Sequence, residues 1–209
     1  MGFLRGTVSV TRFRTAGDPG EGFREQARER IPKYAFRRLP EDSDRERAAG
    51  WVNILDELQN DFPGDDYFKE PYLALSFRVD TRSVPARALR QYCREAEEEV
   101  KARDGLEFIN KKRREEIREG VRARLIRRAI PRSRTFDMTW DLQSGVVLFG
   151  STNSRICDEF SDIFFNTFDV RLTSLYPYSL AYDILQERGL VPGLLDEVRP
   201  FRNSGEEAA

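Results

Sequence analysis

The nine residues YLALSFRVD, positions 72–80, alternate without a break. Leu73, Leu75, Phe77 and Val79 fall on one side of an extended chain. Tyr72, Ala74, Ser76, Arg78 and Asp80 fall on the other. A period of two fixes a β-strand, and apolar residues on a single side predict an antiparallel sheet with one buried face and one solvated face. Pro85 follows shortly, and the next forty residues show a helical period instead. A chain that switches from period two to period 3.6 in this way reads as α+β.

Further elements can be placed around that strand. LRGTVSVTRFR (4–14) reads as a first strand with Val8 and Val10 on one side, and GDPGEG (17–22) as a turn. Phe23, Ala27 and Ile31 trace a helical stripe, and Pro32 interrupts it or opens a second short helix. Trp51 to Leu55 reads as a short strand. Residues 134–150 read as a hairpin in which Phe136, Met138 and Trp140 alternate with polar neighbours and VVLF returns. Ile156, Phe160, Ile163, Phe164 and Thr167 mark another amphipathic helix. VRLTSL (170–175) reads as a last strand, and a helix beginning near Pro177 ends at Gly189. The expected fold is α+β: antiparallel sheets with packed helices, with a hint of two related α/β layers, and one long charged helical region. The expected organisation is an N-terminal α/β part over 1–85, a part over 86–199 holding the basic helix, the hairpin and the C-terminal helices, and a disordered tail over 200–209.

The charge is distributed unevenly. The whole chain carries −1. Residues 111–134, KKRREEIREGVRARLIRRAIPRSR, hold eleven Lys or Arg against three Glu, a net of +8. The candidate contact residues are Lys111, Lys112, Arg113, Arg114, Arg118, Arg122, Arg124, Arg127, Arg128, Arg132 and Arg134. Arg114, Arg118 and Arg122 are four apart and share one helical face, distinct from an apolar stripe of Ile117, Val121 and Leu125. Such a helix docks by one side and offers guanidinium groups on another. Nucleic acid is the natural partner, because a row of cations neutralises phosphates and releases condensed counterions. Arginine suits bidentate contacts to phosphate. The competing explanation is a solvated helix whose arginines pair with nearby acids such as Glu97–Glu99.

Other chemistries are restricted. The sequence contains no histidine, which removes Ser–His and Cys–His nucleophiles and imidazole metal sites. Its two cysteines, Cys93 and Cys157, make neither a disulfide framework nor a metal-ligand pair by spacing. No glycine-rich phosphate loop occurs. Neither a signal peptide nor a run of about 20 apolar residues is present, so a cytoplasmic protein without a membrane span is expected. Asp137, Asp141 and Asp158 are the acids that a metal-dependent nuclease would use, and Glu99-Val100-Lys101 spells half of a nuclease motif on an expected helix. Their plainer explanation is solvent-facing acids. No metal or cofactor is expected.

Taken in order, several of these features resemble the recombination-associated RdgC family of bacteria. They are TRFR (11–14), Gly50-Trp51-Val52, LALSFRVDTRSVP ending at Val84-Pro85, and the long charged helix reaching LIRRAIP at Pro131. The hairpin with Asp141 and Gly145 and the helix around Asp158–Phe160 complete the series. The resemblance implies a non-enzymatic, nucleoid-associated protein that binds duplex DNA with little sequence preference. It also implies a ring-like homodimer around a basic hole and a restraint on RecA-driven strand exchange. Longer members continue past the point where this sequence stops, and that extra part helps to close the ring. The expectation here is a short member, as an open dimer, with another interface, or with a further partner. A protein–protein adaptor whose basic helix meets an acidic surface is the remaining alternative.

Overall fold

The computed structural model describes residues 2–3, 6–17 and 19–198. The expected tail at 200–209 lies outside the described residues. Among the described residues seven strands form one antiparallel sheet: β1 (Thr11–Thr15), β2 (Arg47–Val52), β3 (Phe68–Lys69), β4 (Tyr72–Thr81), β5 (Arg132–Asp141), β6 (Val146–Phe149) and β7 (Leu172–Ser174). Their order is β2-β4-β5-β6-β1-β7, with β3 also on β4. Five α-helices complete the fold among the described residues: α1 (Phe23–Arg30), α2 (Ala86–Asp104), α3 (Lys111–Arg128), α4 (Ser154–Phe168) and α5 (Pro177–Glu187). The fold is α+β, as the alternation of periods requires.

The central pair is β4 and β5, registered along all ten residues from Tyr72 opposite Asp141 to Thr81 opposite Arg132. The sheet is therefore continuous across the 85/86 boundary, and the hint of two layers resolves as one sheet. Cross-strand partners share a face, so Leu73, Leu75, Phe77 and Val79 align with Trp140, Met138, Phe136 and Arg134. α1 and α4 cover this face. The rings of Phe149 and Phe160 stack at 3.9 Å, Phe23 meets Trp140 edge-on at 5.0 Å, and the Trp51 indole N–H donates to Thr167 Oγ1 at 2.8 Å. That bond satisfies a buried donor between sheet and helix.

The opposite face of β4 differs from expectation. Every residue from Leu73 to Asp80 is buried, Ser76, Arg78 and Asp80 included. Nearby loops fold over this part of the face. Arg78 lies over the Phe36 ring at 4.5 Å, pairs with Asp80 at 2.9 Å and donates to the Glu57 carbonyl. Arg82 donates to the carbonyls of Pro40 and Ser43. Internal partners for these polar heads let a nominally solvated strand face be covered, although the buried Arg82 Nε has no hydrogen-bond partner among the described residues.

Two other strands also move. The first strand runs from Thr11 to Thr15, where its partners on β6 and β7 engage it; Leu4 and Arg5 of the expected strand lie outside the described residues. Val8 and Val10 lie outside it. The strand expected at 51–55 is β2 and ends at Val52. There the Asn53 N–H donates to Gln59 O, and the Asn53 side chain accepts from Leu55 N, turning the chain away.

The connection from β4 to β5 is a helical arm. α2 ends where Gly105 adopts φ 65°, the left-handed conformation that glycine tolerates, and α3 starts at Asn110, whose side chain accepts from Arg113 N. At 1.5 Å per residue, α3 spans about 27 Å. No α2 residue is buried, and α3 buries only Val121 and Ile126. The arm therefore stands largely clear of the sheet.

Candidate nucleic-acid interface

All eleven basic residues proposed from the sequence are exposed. Nine belong to α3, and Arg132 and Arg134 open β5. Three are engaged by carboxylates: Arg113 by Glu116 at 3.0 Å, Arg114 by Glu97 at 3.4 Å and Arg122 by Glu46 at 2.6 Å. Lys111, Lys112, Arg118, Arg124, Arg127, Arg128, Arg132 and Arg134 form no ion pair among the described residues. The competing explanation, neutralisation by Glu97–Glu99, thus holds for Arg114 alone within that set.

The eleven do not form a single stripe. Arg114, Arg118 and Arg122 share a face, as expected, and this face borders α2 and the residues before β2. Arg113, Arg124 and Arg127 sit 11 and 14 positions apart and lie on the opposite, outward side of α3. The apolar stripe departs from expectation in one respect. Val121 is buried and Ile117 and Leu125 are half-buried, but Ile126 is also buried, on the side facing Glu46.

Pairing of the two helices adds a feature invisible in a linear count. Glu97 meets Arg114. Cys93, one turn earlier, lies close enough to Arg118 for the guanidinium to counter the rise that burial imposes on the thiol. The helices are therefore antiparallel, and the outer end of α3 lies beside the acidic half of α2. Residues 95–116 hold eight acids against six bases. Residues 117–128 hold five arginines against Glu119, and Arg132 and Arg134 follow. Positive charge is concentrated at the root of the arm, and the outer half is close to balanced. Local concentration governs the field that a polyanion meets.

At the far end, Leu106 is 46% and Phe108 is 78% exposed. An exposed ring beside Lys111–Arg114 can stack on a base or on a partner's side chain. The sequence signal was present, Leu106, Phe108 and Ile109 between a helix-ending glycine and a helix-capping asparagine, but it was masked by the surrounding charge.

The acids do not assemble into a metal site. Asp137 and Asp141 share the β5 face turned away from α4, whereas Asp158 lies on the exposed side of α4, across the sheet. Asp137 accepts from Ser76 Oγ at 2.6 Å and from Phe3 N at 2.7 Å. Asp141 closes the hairpin. The Ser144 hydroxyl first, then the Gln143 and Ser144 amides, hold its carboxyl below the usual range. Glu99 and Lys101 are on helix α2, not on a strand. Among the described residues no group of three potential metal ligands occurs, and no helix is long and apolar enough to cross a membrane.

Residues 21–180 match the family model described as "Putative exonuclease, RdgC". The chain belongs to the RdgC family. The match takes in α1, the whole arm, the β5–β6 hairpin and α4, which are the parts that carry the charge pattern and the core. Comparison with curated proteins returns no match.

Proposed function

We propose that this RdgC-family chain is a sequence-tolerant DNA-binding protein that engages phosphates through the basic root of its helical arm and acts in recombination without catalysis. The observation that carries the reading is the set of eight exposed cations at 111–134 with no ion-pair partner among the described residues. Exposed, unneutralised arginines bind a phosphate backbone by releasing counterions, and such contacts read no base. Family resemblance adds a preference for duplex DNA, a homodimer, an association with the nucleoid and antagonism of a recombinase.

The test is a binding titration on duplex and single-stranded DNA at several salt concentrations, with the mass of the protein measured in the same solutions. Affinity should fall steeply with salt on unrelated sequences. Affinity that does not change with salt would remove the reading.

A nuclease is the second reading, favoured by the family's description. Incubation with plasmid and Mg²⁺ or Mn²⁺ decides between them: cleavage abolished by Asp141→Ala would establish the enzyme. DNA-independent capture of an acidic protein by the arm would favour an adaptor.

A further inference from the structure

We propose that α2 contributes to the polyanion site through Arg90 and Arg94, which with Arg118 and Arg122 form a two-helix arginine ladder on one side of the arm. This rests on the reading of the arm root as a DNA-binding surface, and adds residues that lie outside the basic run.

The geometry follows from one contact and the helical period. Glu97 pairs with Arg114 at 3.4 Å, and α2 packs along α3. In this antiparallel register a step of four along one helix matches a step of four along the other. Arg94 and Arg90 are three and seven positions before Glu97 and share its face; Arg118 and Arg122 are four and eight positions after Arg114 and share its face. Both series therefore run from the same contact toward the root on the same side. Arg94 and Arg90 come level with Ile117 and Val121, within one residue of Arg118 and Arg122 along the axis. Packed helix axes are about 8–10 Å apart and one turn rises about 5.4 Å. Neighbouring guanidinium groups thus fall within about one Debye length at physiological salt.

Nothing among the described residues neutralises this group apart from Glu46 on Arg122. Arg90, Arg94 and Arg118 are exposed and form no ion pair there. Residues 86–94 hold three arginines and no acid, whereas the acids of α2 begin at Glu95. Like charges gathered this closely repel one another in the free protein. A ligand carrying repeated charge relieves the repulsion at several rungs together, which a lone inorganic phosphate cannot do. A nucleic-acid backbone, with one charge per about 1.7 Å of duplex axis, has the required density.

The experiment compares four variants with the parent chain in salt-dependent duplex titrations: Arg90→Gln/Arg94→Gln, Arg90→Lys/Arg94→Lys, Arg118→Gln/Arg122→Gln, and Lys111→Gln/Lys112→Gln at the outer end. The α2 Gln pair should lower affinity roughly tenfold on unrelated sequences and reduce the salt slope by about two. The Lys pair should keep the slope, and the outer pair should change affinity less. The α2 Gln variant should melt no lower than the parent, because it removes repulsion. Unchanged affinity in the α2 Gln pair beside a loss in Arg118→Gln/Arg122→Gln overturns the ladder and leaves the DNA-binding reading standing. A parent chain that shows no salt-dependent binding overturns both. Equal losses in the Gln and Lys pairs with a lowered melting temperature assign the two arginines a structural role and overturn the ladder.

Discussion

Glu46 and Arg122 form the one ion pair between arm and body among the described residues, with 2.6 Å between Oε1 and Nη2. Glu46 immediately precedes β2, and Arg122 sits in the second half of α3. The pair fastens the root of the arm and occupies one of its arginines.

Glu46→Gln should separate these two effects. Both side chains are about half exposed, so the pair contributes at most about 1 kcal/mol and the melting temperature should hardly move. Amide exchange over 117–128 should quicken. Affinity for duplex DNA should rise, by a factor of about five at most, because Arg122 loses its internal partner. A fall in affinity would count against the arm root as the phosphate surface.

Replacing Arg118, Arg122, Arg127 and Arg128 by Ala should weaken binding to unrelated DNA sequences about equally and reduce the salt slope by about four. Filter binding on two duplexes of different composition measures it. A loss confined to one sequence would mean base readout instead.

Gly50→Ala should destabilise the fold. A Cβ there would lie 2.5 Å from the Phe36 Cα and N, and backbone cannot swing aside as a side-chain tip does. The Phe36 N–H also donates to Trp51 O at 2.9 Å, which holds the two segments together. Overpacking of this kind costs about 1–3 kcal/mol, measurable as a lower urea midpoint.

Acid should loosen the contact between α1 and the segment before β3. Arg28 donates from Nε to Asp65 Oδ1 at 2.7 Å. The hydrogen bond from Arg28, and then its charge, hold the Asp65 carboxyl below its usual value. A carboxyl whose value is lowered by folding adds stability that is fully present above its unfolded value of about 4 and is lost as pH falls further. The melting temperature should therefore decline below about pH 4, and Asp65→Asn should make that decline shallower. An identical decline in the variant would remove Asp65 as a contributor.

The parts of the fold legible in the sequence were those where local period and tertiary burial agree. Leu73, Leu75, Phe77, Met138 and Trp140 alternate in the chain and are buried in the sheet. The second short helix at Pro32 follows from a backbone restriction that needs no partner. The misplaced strand ends, which put Val8 and Val10 inside the first strand and Leu55 in place of Val52, are set by where a neighbouring strand stops, and no residue pattern encodes that. For the candidate site, exposure of the basic run was legible. Its division between two faces, and the balancing of its outer end by α2, were not.

By itself the sequence determined the period of each element, the excess of cations at 111–134 and the absence of imidazole, since these belong to single residues and their near neighbours along the chain. The tertiary structure decided what lies opposite what. It covered the polar side of β4 with loops, put Asp158 across the sheet from Asp137 and Asp141, and laid Glu97 of α2 beside Arg114 of α3. Contacts between segments far apart in the chain depend on how whole elements pack, and burial and ion pairing follow from that packing.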